Sequence, residues 1–81
     1  MGVQVRCFAA AREAMGAAEV ELPAGSVAEL CAALITAGGP RMAEVLAVSS
    51  LVCEGRIYRC GDESPIPDGQ VLDVLPPFAG G

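Results

Sequence analysis

The residues best suited to chemistry in this 81-residue chain are its last six, Pro76-Pro77-Phe78-Ala79-Gly80-Gly81. They follow a run with the character of a buried strand, Val71-Leu72-Asp73-Val74-Leu75. Two consecutive prolines fix φ and remove two backbone donors, so the chain is expected to leave a sheet there extended, near polyproline II. One aromatic side chain follows, then a methyl group, then two glycines whose backbone can approach another surface closely. The reading is a stiff base, an apolar anchor and a thin, flexible tip. Its reacting group would be the carboxylate of Gly81. A carboxylate is a poor electrophile, but as an acyl-adenylate it opens to nucleophilic attack, and a bare glycine leaves that attack uncrowded. Such a tip suits insertion into another protein's active site.

Other candidates are weaker. Cys7, Cys31, Cys53 and Cys60 are too scattered for a zinc site, which wants closely spaced pairs. They also miss the cysteine spacing of plant-type ferredoxins. Cys7 and Cys31 fall on expected core faces, where a free thiol behaves as a small hydrophobe. Cys53 and Cys60 flank an expected hairpin and are expected to be partly exposed, with a redox role left open. Histidine is absent, no glycine-rich phosphate loop is present, and the carboxylates show no evident pairing. The chain is expected to hold no metal and no cofactor of its own.

Net charge is −5, and the five cations, Arg6, Arg12, Arg41, Arg56 and Arg59, are all arginine. An acidic domain without a basic cluster is a poor partner for nucleic acid or anionic membrane and is better suited to a basic protein surface. No leader and no apolar run approaching a membrane span stands out, so a cytoplasmic location is expected. The absence of lysine has a chemical consequence. No ε-amine on this chain could consume an activated Gly81.

The elements that must position the tip are legible from their periodicity. Val3, Val5 and Cys7 alternate with Gln4, Arg6 and Phe8, the signature of a strand with one buried side. Phe8 on the polar side is a candidate for docking. A short helical turn is expected over Ala9 to Met15, ended by Gly16, and then a strand over Ala18 to Leu22 that pairs with the first. Ser26 and Glu29 form the S-x-x-E capping box that opens the main helix. Val27, Leu30, Cys31, Leu34 and Ile35 form its apolar stripe, and Gly38-Gly39 ends it. Pro40 opens a second helical segment with Met42, Val45 and Leu46 inward. Strands are expected over Val48 to Cys53 and Arg56 to Arg59, with Glu54-Gly55 as their turn. A polar connector over 61–65 and a turn over 66–70 lead to the last strand, whose Leu72 and Val74 face the core and whose Val71, Asp73 and Leu75 face away.

A single small domain results, with residues 1–75 as the folded unit and 76–81 as its tail. The first and last strands are the most apolar and are expected to lie side by side, parallel, with the helix as crossover. That is an α+β fold, a β-grasp roll in which a mixed sheet wraps one main helix.

Four stretches carry a family resemblance: Val3 to Gly16, Ser26-Val27-Ala28-Glu29-Leu30, Pro67-Asp68-Gly69-Gln70-Val71 and Leu75 to Gly81. Across nearly its whole length the chain resembles the MoaD/ThiS family of ubiquitin-like β-grasp sulfur carriers, and the Pro-Pro-x-x-Gly-Gly ending favours the molybdopterin branch. It departs at Val52-Cys53-Glu54-Gly55, where a Val-Asn-Gly-like turn is more typical. The resemblance implies that an ATP-dependent adenylating enzyme, related to ubiquitin activators, converts Gly81 to an acyl-adenylate. A persulfide sulfur donor then leaves a C-terminal thiocarboxylate. It further implies a large catalytic subunit of molybdopterin synthase, in a heterotetramer, that uses the sulfur to build the dithiolene of molybdopterin. In that cycle Gly81 carries the sulfur and Gly80 lets the tip pass a narrow channel. Phe8, Leu75, Pro76, Pro77, Phe78 and Ala79 are the expected partner-binding residues. Alternatives are a carrier for thiamine, cysteine or tRNA thiolation, a ubiquitin-like modifier, and a non-enzymatic interaction module.

Overall fold

The computed structural model describes residues 2–77. The order is β1 (Val3–Cys7), α1 (Ala9–Met15), β2 (Glu19–Leu22), β3 (Gly25–Ser26), α2 (Val27–Val48), β4 (Ser50–Cys53), β5 (Arg56–Tyr58), β6 (Pro65–Ile66) and β7 (Val71–Leu75). Five strands form one sheet in the order β2-β1-β7-β4-β5, and β3 pairs with β6 in a small second sheet. β1 and β7 are parallel and central; β2, β4 and β5 join antiparallel. The α+β β-grasp roll is therefore present, and the two most apolar strands lie where both edges are covered.

Alternation sets the faces. Val3, Val5 and Cys7 of β1, Leu51 and Cys53 of β4, and Leu72 and Val74 of β7 are buried beneath α2. Val27, Leu30, Cys31, Leu34, Met42, Val45 and Leu46 of α2 close the core from the other side. Each fully buried Leu or Val here stabilises the fold by roughly 1.5–3 kcal/mol relative to exposure. Ile35, expected in the stripe, is exposed instead.

The start of α2 is capped as its sequence dictates. Ser26 Oγ accepts from the Glu29 N–H and Glu29 Oε1 accepts from the Ser26 N–H. Two further N–H groups of its first turn, those of Val27 and Ala28, donate to the carbonyls of Ser64 and Asp62 at 2.9 Å each. The β5–β6 connector thus serves as a cap for the main helix, a role its polar composition did not disclose. At Gly39 the helix breaks, with φ 76° and ψ −164°, a conformation closed to residues with a Cβ, and Pro40 restarts it. By length and composition α2 could cross a membrane, which the sequence reading did not credit. Its break at Gly39 and the apolar side it turns onto the sheet make it a core helix.

Strand β4 begins at Ser50, two residues later than expected, because Val48 completes the helix and Ser49 turns the chain. The β4–β5 hairpin closes through a two-residue loop in which both Glu54 (φ 53°) and Gly55 (φ 76°) have positive φ. Those are the dihedral signs of a type I′ turn, whose backbone twist matches that of the flanking strands.

Candidate functional site

The site is the edge of the sheet where the tail leaves it. Because β1 and β7 are parallel and pair Cys7 with Val74, their C-terminal ends reach the same edge. Phe8 therefore follows β1 where Leu75, Pro76 and Pro77 follow β7. The antiparallel partner β4 starts at this edge too, with Ser50 opposite Leu75, so the C-terminal end of α2 also arrives here.

On the outer face, away from α2, one row of side chains crosses all five strands. The register Glu19–Arg6–Asp73–Val52–Ile57 runs from acidic at β2 to apolar at β5. Arg6 grips Asp73 with both prongs, Nε to Oδ1 at 2.7 Å and Nη2 to Oδ2 at 2.8 Å. The same guanidinium stands 5.7 Å from the centre of the Phe8 ring, within cation–π range. Asp73 raises the Arg6 pKa further, which leaves an already permanent cation in place. Around this pair Phe8, Val71, Leu75 and Ile57 are exposed, Phe8 to 40% and Leu75 to 38%.

On the helix side, Pro77 lines a shallow groove of about 180 Å³ with Ala10, Arg41, Glu44, Val45 and Val48. Val48 is 59% exposed there. The tail thus starts between two apolar surfaces, one on the sheet and one at the end of α2.

The expected partner-binding residues Phe8, Leu75, Pro76 and Pro77 come together at this edge, with Pro76 half-buried and the other three exposed. Phe78, Ala79, Gly80 and Gly81 lie outside the described residues. Sequence reasoning missed the Arg6–Asp73 pair, although both residues were placed on outward faces; only the β1–β7 register brings them opposite. It also missed Val48, whose apolar character was assigned to the following strand. Ile57 was legible as a strand residue, but nothing in a three-residue strand said which face was open.

The thiols take no part in this edge. Cys7 is buried, and desolvation pushes its pKa up. Cys53, expected to be partly exposed, is instead 4% exposed, because alternation in β4 places it on the same side as Leu51. Desolvation raises its pKa as well, aided by the Glu54 and Asp73 charges. Cys60 is half-buried against the core. Among the described residues no group of three or more Cys, His, Asp or Glu is placed to hold a metal ion.

No protein-family model matches the chain. Among solved structures it is similar to small archaeal modifier protein 1 from Methanosarcina acetivorans, at 25% identity and a TM-score of 0.80, over 98% of this chain and 95% of that one. It is similar to a chain in the complex of subunits 1 and 2 of molybdopterin-converting factor from Helicobacter pylori 26695, at 27% identity and a TM-score of 0.70, over 100% of both. With SAMP1 from Haloferax volcanii it shares the fold, at 20% identity and a TM-score of 0.78 over 98% of both chains. Full-length matches to these structures, on the strand order and helix described above, give this chain the ubiquitin-like β-grasp fold, with similarity to small archaeal modifier proteins and to a chain of molybdopterin-converting factor.

Proposed function

We propose that this protein is a sulfur carrier that serves as the small subunit of a molybdopterin synthase, with Gly81 as the carrier residue. The observation that carries the reading is the exit geometry. A central strand ends at Leu75 and passes directly through Pro76 and Pro77 between two exposed apolar surfaces, with Phe78-Ala79-Gly80-Gly81 still to follow. The similarity to a chain of the converting-factor complex supports a partner subunit for this chain, and the exposed apolar edge at the exit is where we place it.

The Gly81 carboxylate attacks the α-phosphorus of ATP on an adenylating partner, giving the acyl-adenylate and pyrophosphate. The terminal sulfur of a donor persulfide attacks the acyl carbon and displaces AMP. A second thiol then cleaves the resulting sulfur–sulfur bond, which leaves the thiocarboxylate on Gly81 and a disulfide on the donor. The loaded tip enters the large subunit, where its sulfur joins a pterin to form the dithiolene. The carrier contributes position, and its partners contribute catalysis.

A direct test combines the purified chain with the adenylating enzyme of its own host and ATP. Release of pyrophosphate that requires Gly81 supports activation of the terminus. Its absence with an enzyme that activates its other substrates contradicts the reading. The modifier role suggested by the archaeal neighbours shares this first step. It separates at the next, where an isopeptide bond to a lysine of another protein would replace the thiocarboxylate.

A further inference from the structure

Two thiols that the sulfur-carrier reading does not use stand against each other. Cys31, on the buried side of α2, and Cys60, in the connector after β5, have their sulfurs 2.7 Å apart, with the Cys60 thiol donating to Cys31. A disulfide bond measures about 2.05 Å, so closing this one needs a shift of less than about 1 Å. Both cysteines are free, and they lie 29 residues apart in sequence. The connector that carries Cys60 also supplies Asp62 and Ser64, whose carbonyls cap the first turn of α2.

We infer that Cys31 and Cys60 form an intramolecular disulfide under oxidising conditions, clamping the β5–β6 connector onto the main helix. Cys60 is the half-buried member and meets the oxidant first. Cys31 is buried, and desolvation together with Cys60 pushes its pKa up, which makes it the slower nucleophile and the resolving one. With a low-molecular-weight disulfide as oxidant, Cys60 sulfur attacks one of its sulfurs and expels one small thiol. Cys31 sulfur then attacks Cys60 sulfur and expels the second. The two protein thiols lose two electrons and two protons, and one small disulfide becomes two small thiols. The clamp sits toward the N-terminal end of α2, whereas Pro77 lies against its C-terminal half. It is therefore independent of the tail and of the function proposed for it.

The test uses the whole wild-type protein, incubated with oxidised glutathione and then digested with trypsin. Cleavage after arginine places the four cysteines in four separate peptides, 7–12, 13–41, 42–56 and 60–81. The expected product is an intact chain lighter by two hydrogens, in which peptides 13–41 and 60–81 are joined until a thiol reductant is added. Loop closure of this length should raise the melting temperature by about 20 °C, reversed on reduction. Glutathione retained on Cys60 without a link to Cys31 would overturn the inference. A bond through Cys7 or Cys53, or a dimer through Cys60, would do so equally. A Cys60→Ser chain should show neither the mass loss nor the thermal shift.

Discussion

Arg6 and Asp73 face each other across the parallel β1–β7 pairing as a two-pronged ion pair at 2.7 and 2.8 Å, with the Phe8 ring 5.7 Å from the guanidinium. The pair ties the centre of the outer face to the aromatic residue at the tail exit. It is solvent-facing, so its contribution to folding is small and screened by salt. Asp73→Ala should therefore shift the urea midpoint only slightly, and less at high salt. Affinity for a partner on this face should fall more clearly, because Arg6 and Phe8 lose their fixed orientation. A large, salt-insensitive loss of stability would show that the pair is structural instead.

Leu75 tests the docking surface itself. It is 38% exposed on the face opposite the core, one residue before the prolines. Leu75→Glu should leave the melting temperature nearly unchanged and weaken binding to the proposed partner subunit by about tenfold or more, as expected when a charge enters the centre of an apolar contact. Calorimetric titration beside thermal unfolding separates the two effects. Unfolding of the variant, or undiminished binding, would contradict the assignment.

Much of this was legible before the structure because alternation and helical spacing report burial directly. Val3-Val5-Cys7 and Leu72-Val74 could only be inward faces, and the Ser26–Glu29 box could only open a helix. Pairing across strands was not legible in the same way. Arg6 and Asp73 are 67 residues apart, and Cys31 and Cys60 are 29 apart. Which residue meets which depends on register, which local pattern does not encode. The two-residue strands β3 and β6 were missed for a related reason: each is too short to show any period.

The β4–β5 turn offers a test of local strain. Glu54 holds φ 53°, a region that asparagine tolerates better than glutamate. Glu54→Asn should stabilise the domain by about 0.5–1 kcal/mol in urea denaturation, since type I′ loops favour Asn-Gly. A neutral or destabilising result would mean that Glu54 is not strained.

Gly38 tests the packing across the break in α2. A Cβ built there would stand 2.6 Å from the Met42 Cβ and 3.0 Å from the Met15 sulfur. Gly38→Ala should cost about 1–3 kcal/mol, the usual penalty for overpacking, measured by the same denaturation. An unchanged midpoint would mean that the backbone at the Gly39 break yields to let the added Cβ past Met42.

The buried thiols predict a pH dependence. Cys7, Cys31 and Cys53 have folded pKa values raised above the ordinary 9.0, so they stay protonated where the unfolded chain ionises. Their contribution is fully present below the unfolded value and is lost as pH rises beyond it toward the folded values. Under reducing conditions stability should be insensitive to these groups at pH 7 and should decline above about pH 9. Cys7→Ala should flatten part of that decline. A chain with no alkaline loss of stability would contradict their burial.

The central claim rests on Gly81, and intact-mass measurement tests it most directly. Protein isolated from its native host under reducing conditions should include a fraction heavier by the difference between one sulfur and one oxygen, and fragmentation should assign that difference to residue 81. Deleting Gly81 should abolish the heavier species while leaving the melting temperature unchanged, because β7 ends at Leu75. A chain that restores full molybdopterin synthesis with Gly80 and Gly81 removed, or a sulfur found on a cysteine and never on the terminus, would contradict the account.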